Sequence, residues 1–193
     1  MQKISSEVFC YHKSMSKQPR LVFINGPTGV GKTTIAQRYA TEHPLALILS
    51  ADDFVGSMGQ WLDNEAEARK LALRYIGMVA EEHLRSGYDV VVPYLLEHPE
   101  DMAVVEQAAA KSGARLIECV LMAPKEEVIR RAIERGTWGE PGAPPLTPDD
   151  RPVLEKLYDD FAQALASRPL AAKITVQTGG IDGTYRQLTE AVK

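Results

Sequence analysis

The sequence predicts an α/β protein, a three-layer α/β/α sandwich with helices on both faces of a mostly parallel sheet. Three observations predict it. Short β-branched or aromatic runs alternate with helix-length segments along the chain. Glycine and proline mark most of the boundaries between them. The chain's 193 residues, 45% of them hydrophobic, suffice for one domain with a substantial core.

Taken in order, Arg20–Asn25 reads as a buried strand, and the segment from Lys32 through Thr41 carries apolar residues at helical spacing. Leu45–Leu49 is a second strand, running into Ser50-Ala51-Asp52-Asp53-Phe54. A long helical region spans about Asn64 to Ser86 and ends at Gly87. Asp89–Val92 is a third strand, stopped by Pro93 because proline lacks a ladder donor. A helix from about Glu100 to Ser112 closes at Gly113. Arg115–Leu121 makes the fourth strand, and Pro124 opens a helix through Arg135. Gly136–Pro148 is rich in Gly and Pro and reads as a loop. A helix over about Arg151–Ser167, a strand at Lys173–Val176 and a helix from Asp182 complete the chain.

Between the first strand and the first helix lies Gly26-Pro27-Thr28-Gly29-Val30-Gly31-Lys32-Thr33, the pattern G-x-x-x-x-G-K-T. This is the P-loop pattern, and each fixed position has a chemical reason. The glycines let successive backbone N–H groups, from Thr28 through Thr34, turn toward phosphate oxygens; a Cβ would crowd the anion or forbid the dihedrals. Lys32 sets a compact positive charge between the β- and γ-phosphates. The Thr33 hydroxyl offers one coordination place to Mg²⁺, which keeps water and nucleotide oxygens as its other ligands. A helix starting at Lys32 adds its positive end to the anion site. The expected ligands are therefore ATP and Mg²⁺.

Charge and composition narrow the partners. The net charge is −4, from 22 basic and 26 acidic residues, which argues against broad electrostatic binding to nucleic acid. Cys10 and Cys119 form no C-x-x-C pair and read as thiols in a reducing compartment, so a cytoplasmic location is expected. No apolar run approaches the ~18 residues of a membrane span. Residues 1–18 read as a polar N-terminal extension without a signal-type hydrophobic segment, with Met15 just ahead of the first strand. Residues 19–193 then form a single domain, with a short lid at about 136–150.

Three subclasses of P-loop protein separate on motif. A GTPase needs an Asn-Lys-x-Asp guanine reader, and none is present; Asp53-Phe54-Val55-Gly56 matches D-x-x-G by coincidence. A AAA-type motor needs an acid at the end of an aliphatic strand, but the third strand ends in Val92-Pro93-Tyr94. Small P-loop kinases remain. Ligands in such sheets sit at the carboxyl ends of the strands.

Two features support the kinase reading. Asp52 and Asp53 follow the second strand, where the chain resembles shikimate, gluconate, chloramphenicol and polynucleotide kinases. The resemblance implies that one of these acids orients the acceptor hydroxyl or takes its proton. Capping of the next helix is the plainer account of either acid, and spacing does not choose between them. Arg131 and Arg135 stand four apart on one helix face and resemble the lid entrance of nucleoside-monophosphate kinases. There, one arginine packs on adenine while the other reaches phosphate oxygens, and the loop beyond acts as a lid. A solvated face built with Glu127, Arg130 and Glu134 explains the same residues.

The closest local likeness is to tunicamycin-resistance-type ATP-binding proteins. The segment from Val92 to Glu100 resembles their V-P-x-x-x-x-H-P-E, and that from Leu121 to Glu126 resembles L-M-A-x-K-E. The likeness runs from Leu21 to Arg135 and fades beyond. Together these resemblances imply a P-loop nucleoside triphosphate hydrolase fold with five parallel strands in the order 2-3-1-4-5. They imply transfer of the ATP γ-phosphoryl group to a hydroxyl of a small molecule such as a sugar acid, nucleoside or antibiotic. The rivals are a non-catalytic ligand-binding tolerance protein and a 5′-hydroxyl polynucleotide kinase. His98 and Tyr94 stand at the sheet's ligand edge, although a His-Pro-Glu helix start also explains His98. The resemblance places Trp61, Arg69 and Arg74 on the region covering the acceptor pocket, although Glu65/Arg69 and Lys70/Arg74 also pair as surface charges. Thr178-Gly179-Gly180 resembles the loop under adenine in such kinases.

Overall fold

The computed structural model describes residues 18–96, 98–165, 172–175 and 181–193. Thr178-Gly179-Gly180 and Cys10 lie outside the described residues. Strands β1 (Arg20–Asn25), β2 (Leu47–Ile48), β3 (Val90–Tyr94), β4 (Arg115–Met122) and β5 (Ala172–Thr175) form one sheet in the order β2-β3-β1-β4-β5, with every pairing parallel. The helices are α1 (Lys32–Glu42), α2 (Ala51–Gly56), α3 (Glu65–Arg85), α4 (Met102–Ser112), α5 (Lys125–Arg135), α6 (Arg151–Leu165) and α7 (Ile181–Ala191). The three-layer parallel architecture and the strand order are those expected. No helix among the described residues is long and apolar enough to cross a membrane.

The layers follow from the two-residue period of β1. Leu21 and Phe23 point to one face, where Ile76, Ala80 and Leu84 of α3 and Val105 of α4 cover them. Val22 and Ile24 point to the other, against Ile35 and Tyr39 of α1 and Leu188 of α7. Central strands covered on both faces read as unbroken apolar runs, which is why RLVFIN and VVVPY carry no alternation. Cys119 is buried in β4, where desolvation pushes its thiol up to about 12.

Two boundaries differ from the sequence expectation. β3 does not stop at Pro93 but runs through Tyr94, with Pro93 in register with Ile24. The Asp89 and Val91 carbonyls accept from β2-side amides, those of Leu47 and Leu49. By the strand period Pro93 faces that same side, where β2 has already ended at Ile48, so its missing N–H breaks no ladder bond. The segment after β2 also contains a helix of its own, α2, followed by a short 3-10 turn at Trp61–Asn64.

At the amino end of the sheet, Arg20 is bound by Asp89 through its backbone amide (2.7 Å), Nε (3.0 Å) and Nη2 (2.6 Å), and the Tyr39 hydroxyl donates to the same carboxylate at 2.7 Å. Burial alone would raise the Asp89 pKa, but the hydrogen bonds from Arg20 and Tyr39 outweigh it and hold the carboxyl below its usual range. Such a depressed acid contributes stability above its unfolded pKa, and that stability is lost as pH falls through the folded value. Arg20 and Asp89 side chains are 7% and 13% exposed, so Asp89→Ala strands a buried guanidinium. The variant is expected to lose about 3–5 kcal/mol of stability in urea unfolding at neutral pH. The gap from wild type should narrow under acid; a deficit that stays constant down to pH 2–3 (about the lower end of carboxylate titration) would count against this account.

Candidate functional site

The P-loop joins β1 to α1 at the carboxyl edge of the sheet. Asn25 fixes its start: the buried side-chain oxygen accepts from the Gly26 amide (2.9 Å) and from the Leu96 amide (3.0 Å). That side chain ties the loop to the segment leaving β3. Sequence reading did not single it out, because an asparagine ending a strand looks like an ordinary turn residue.

The loop glycines serve different needs. Gly31 has φ +102°, with nothing within 4 Å of where a Cβ would stand, so backbone conformation requires it. Gly26 is held by packing, since its Cβ would lie 2.8 Å from the Leu121 carbonyl oxygen. Gly29, outside the fixed positions of the motif, has φ +90° and would bring a Cβ to 2.4 Å from the Val128 carbonyl oxygen in α5. Gly29→Ala is therefore expected to cost about 2–4 kcal/mol through overpacking and a left-handed backbone. Thermal unfolding checks it, and an unchanged Tm would show that α5 yields freely.

Pro27 is buried, Thr28 half-buried, and the Val30 amide closes a turn on the Pro27 carbonyl at 3.3 Å. The first helical bond of α1 runs from Ile35 to Gly31, so the amides of Lys32, Thr33 and Thr34 precede it and have no partner within the helix. Lys32 Nζ donates to the Gly26 and Pro27 carbonyls at 2.7 and 3.1 Å. Burial pulls its pKa down to about 8, with Asp52 opposing the shift and Arg135 adding to it. A cradle with open space at Gly31, free amides and an ammonium that burial disfavours fits a phosphate chain. The hydroxyl-bearing side chain of Thr33 is exposed at the second position of α1. Among the described residues no group of three or more His, Cys, Asp or Glu is arranged to hold a metal. A single hydroxyl suits Mg²⁺ that retains water and phosphate oxygens.

Asp52 and Asp53 occupy the first turn of α2, and neither caps it; Ser50 is the N-cap residue. They face differently. Asp53 is exposed, while Asp52 is half-buried and close enough to Lys32 for each charge to act on the other. Desolvation raises the Asp52 carboxyl, Glu140 and Asp53 raise it further, and Lys32 and Arg69 oppose them.

The two arginines of α5 also diverge. Arg131 Nε donates to Glu127 at 2.8 Å, an ion pair within its own helix. Arg135 reaches forward, donating to the Thr137 carbonyl (2.7 Å) and the Trp138 carbonyl (3.2 Å), and its charge acts on Lys32. The loop beyond α5 lies against the α2–α3 bank. A Cβ on Gly139 would stand 2.6 Å from Asp52 Oδ2, and one on Gly56 2.3 Å from Pro141 Cδ. Trp61, buried against Val55, Ala68 and Ala72, donates through Nε1 to the Pro141 carbonyl at 3.2 Å. Arg69 Nη2 donates to Glu140 Oε1 at 2.6 Å while also pairing with Glu65.

Glu140 is 7% exposed and has no counterpart in the sequence expectation. Its setting, Gly139-Glu140-Pro141-Gly142, reads as solvated turn, and no local signal marks an acid there as buried. His98 is exposed, and its carbonyl accepts from Asp101 at a helix start. Tyr94 is half-buried beside Phe23, with its hydroxyl donating to Asp101 at 3.0 Å. Arg74 is exposed.

A family model described as an AAA domain matches residues 21–144. No curated protein matches the chain. Solved structures share its fold at low identity. A candidate kinase of Chloroflexus aurantiacus aligns with TM-score 0.67 and 18% identity, covering 92% of this chain and 100% of its own. A gluconokinase of Sinorhizobium meliloti aligns with TM-score 0.57 and 15% identity, covering 91% of this chain and 93% of its own. The APS kinase of Mycobacterium tuberculosis, solved with AMPPNP and APS, aligns with TM-score 0.57 and 17% identity, covering 91% of this chain and 98% of its own.

Proposed function

The chain belongs to the AAA-domain family, and on that premise we propose that it transfers the γ-phosphoryl group of ATP to a hydroxyl on a small molecule. The observation that carries the reading is Asp52, a half-buried acid under the strap at Gly139 whose pKa burial raises and the charge of the P-loop Lys32 opposes. Phosphoryl transfer needs charge stabilisation on one side of the γ-phosphorus and an aligned alcohol on the other. Lys32 serves the first need and Asp52 the second.

In the proposed step the acceptor oxygen bonds to the γ-phosphorus as the bond to the β–γ bridging oxygen breaks. ADP leaves with the electron pair, and the hydroxyl proton passes to Asp52. The amides at the start of α1 and Lys32 hold the phosphate oxygens. Mg²⁺ on Thr33, when bound, supplies further charge neutralisation at the β- and γ-phosphates. Arg135 adds positive charge beside Lys32, and Arg131 joins it on leaving Glu127. Asp53, turned to solvent, has no part in the step.

The test is ADP release from ATP against a panel of sugars, sugar acids, nucleosides and antibiotics, with Lys32→Ala as the blank. The expected result is one acceptor class that raises turnover well above hydrolysis by water. Tight ATP binding with no stimulation by any compound would overturn the reading in favour of a ligand-sequestering protein.

A further inference from the structure

We infer that Glu140 is a positioning residue: paired with Arg69, it fastens the loop over residues 137–143 across the acceptor side and sets the Gly139 backbone against Asp52. Burying a carboxylate in a loop is costly unless a partner compensates it. Gly139 and Pro141 on either side are exposed, yet Glu140 turns inward to meet Arg69 at 2.6 Å. Arg69 sits on α3, 71 residues earlier in the chain, so the pair ties two separate elements together. The Trp61–Pro141 hydrogen bond and the Gly56–Pro141 contact reinforce the same docking. On the opposite bank, Arg135 holds the Thr137 and Trp138 carbonyls. The loop is thereby a strap anchored on both sides of the P-loop, and Arg69–Glu140 is its catch on the acceptor side.

The catch has an electrostatic consequence. Asp52 is faced by Lys32 from the start of α1, Asp53 from its own helix, Arg69 from α3 and Glu140 from the strap, with Arg135 of α5 acting on Lys32. Glu140 and Arg69 act on Asp52 in opposite directions, the one raising its carboxyl and the other lowering it. Breaking the catch from either end frees the strap, and losing Glu140 also removes a like charge, so in that variant both changes lower the Asp52 carboxyl.

The experiment uses the full chain carrying Glu140→Gln, Arg69→Gln or, as a control, Glu65→Gln. Amide hydrogen exchange over 137–143 reads the strap, and an NMR titration of the Asp52 carboxyl reads the charge. Exchange is expected to quicken about tenfold or more in the first two variants and to stay near wild type in the control. The Asp52 midpoint is expected to fall in Glu140→Gln, where a like charge and the cover of the strap are lost together. Unchanged exchange in both catch variants, or an Asp52 midpoint that does not fall in Glu140→Gln, would overturn the inference. The consequence for turnover rests on the phosphotransferase reading: acceptor KM should rise severalfold with a smaller change in kcat. A panel without any acceptor would sink that reading and leave the exchange and titration results to judge the catch.

Discussion

Replacing Lys32 by alanine is expected to lower phosphoryl transfer by about 10³-fold, the size seen when a preorganised charge at the reacting centre is removed. The fold should survive. Lys32 opens α1 and gives its hydrogen bonds to the Gly26 and Pro27 carbonyls, which belong to the same loop. Burial pulls its pKa down to about 8, so the surroundings disfavour the ammonium. A phosphate chain reverses that balance, since its charge compensates the buried cation. The loss therefore falls on nucleotide affinity and on the transition state rather than on stability. Steady-state ADP release, calorimetric ATP binding and a thermal melt separate these effects. Transfer within tenfold of wild type, with ATP still bound, would remove Lys32 from the mechanism.

Asp52→Asn should lose turnover by about 10²–10⁴-fold, the span attributed to general acid–base catalysis, while Asp53→Asn stays within a few-fold of wild type. ATP affinity should change little, because the amides and Lys32 carry it. The same substitution should raise the Tm at neutral pH. The folded-state pKa of Asp52 is raised, so its contribution is most favourable below the unfolded value and worsens as pH climbs through the folded one. At neutral pH the raised pKa thus costs stability, and an amide of the same shape does not bear that cost. The Tm advantage should shrink as pH falls toward 4 (about the unfolded Asp pKa). An Asp52→Asn protein that is both inactive and less stable would mean that the carboxylate is structural.

Much of the architecture was legible in the residues. RLVFIN, the eight residues of the P-loop and the glycines closing α4 and α5 state local demands: strand burial, left-handed backbone, helix termination. Pro93 misled because its cost depends on a neighbour. Proline weakens a strand only where another strand is there to receive the missing donor, and β2 ends before that point. The glycine-rich loop between β1 and α1 was legible as a loop, and the arrangement around Asp52 far less so. Asp52 and Asp53 are adjacent and chemically alike, so nothing local divides them; the docking of the strap and the direction of Lys32 do. Arg131 and Arg135 share a helix face by spacing, yet Glu127 holds one and the Thr137 and Trp138 carbonyls hold the other.

By itself the sequence determined the order of elements, the parallel sheet and the glycine-rich loop between β1 and α1, because periodicity and backbone dihedrals act between near neighbours in the chain. Only the tertiary structure decided that Asn25 ties the P-loop to the exit of β3, that the charges of Asp52 and Lys32 act on each other, and that Glu140 is buried on Arg69. Those outcomes depend on which distant charges meet out of water. Desolvation makes such meetings energetically decisive, and no short stretch of residues encodes them.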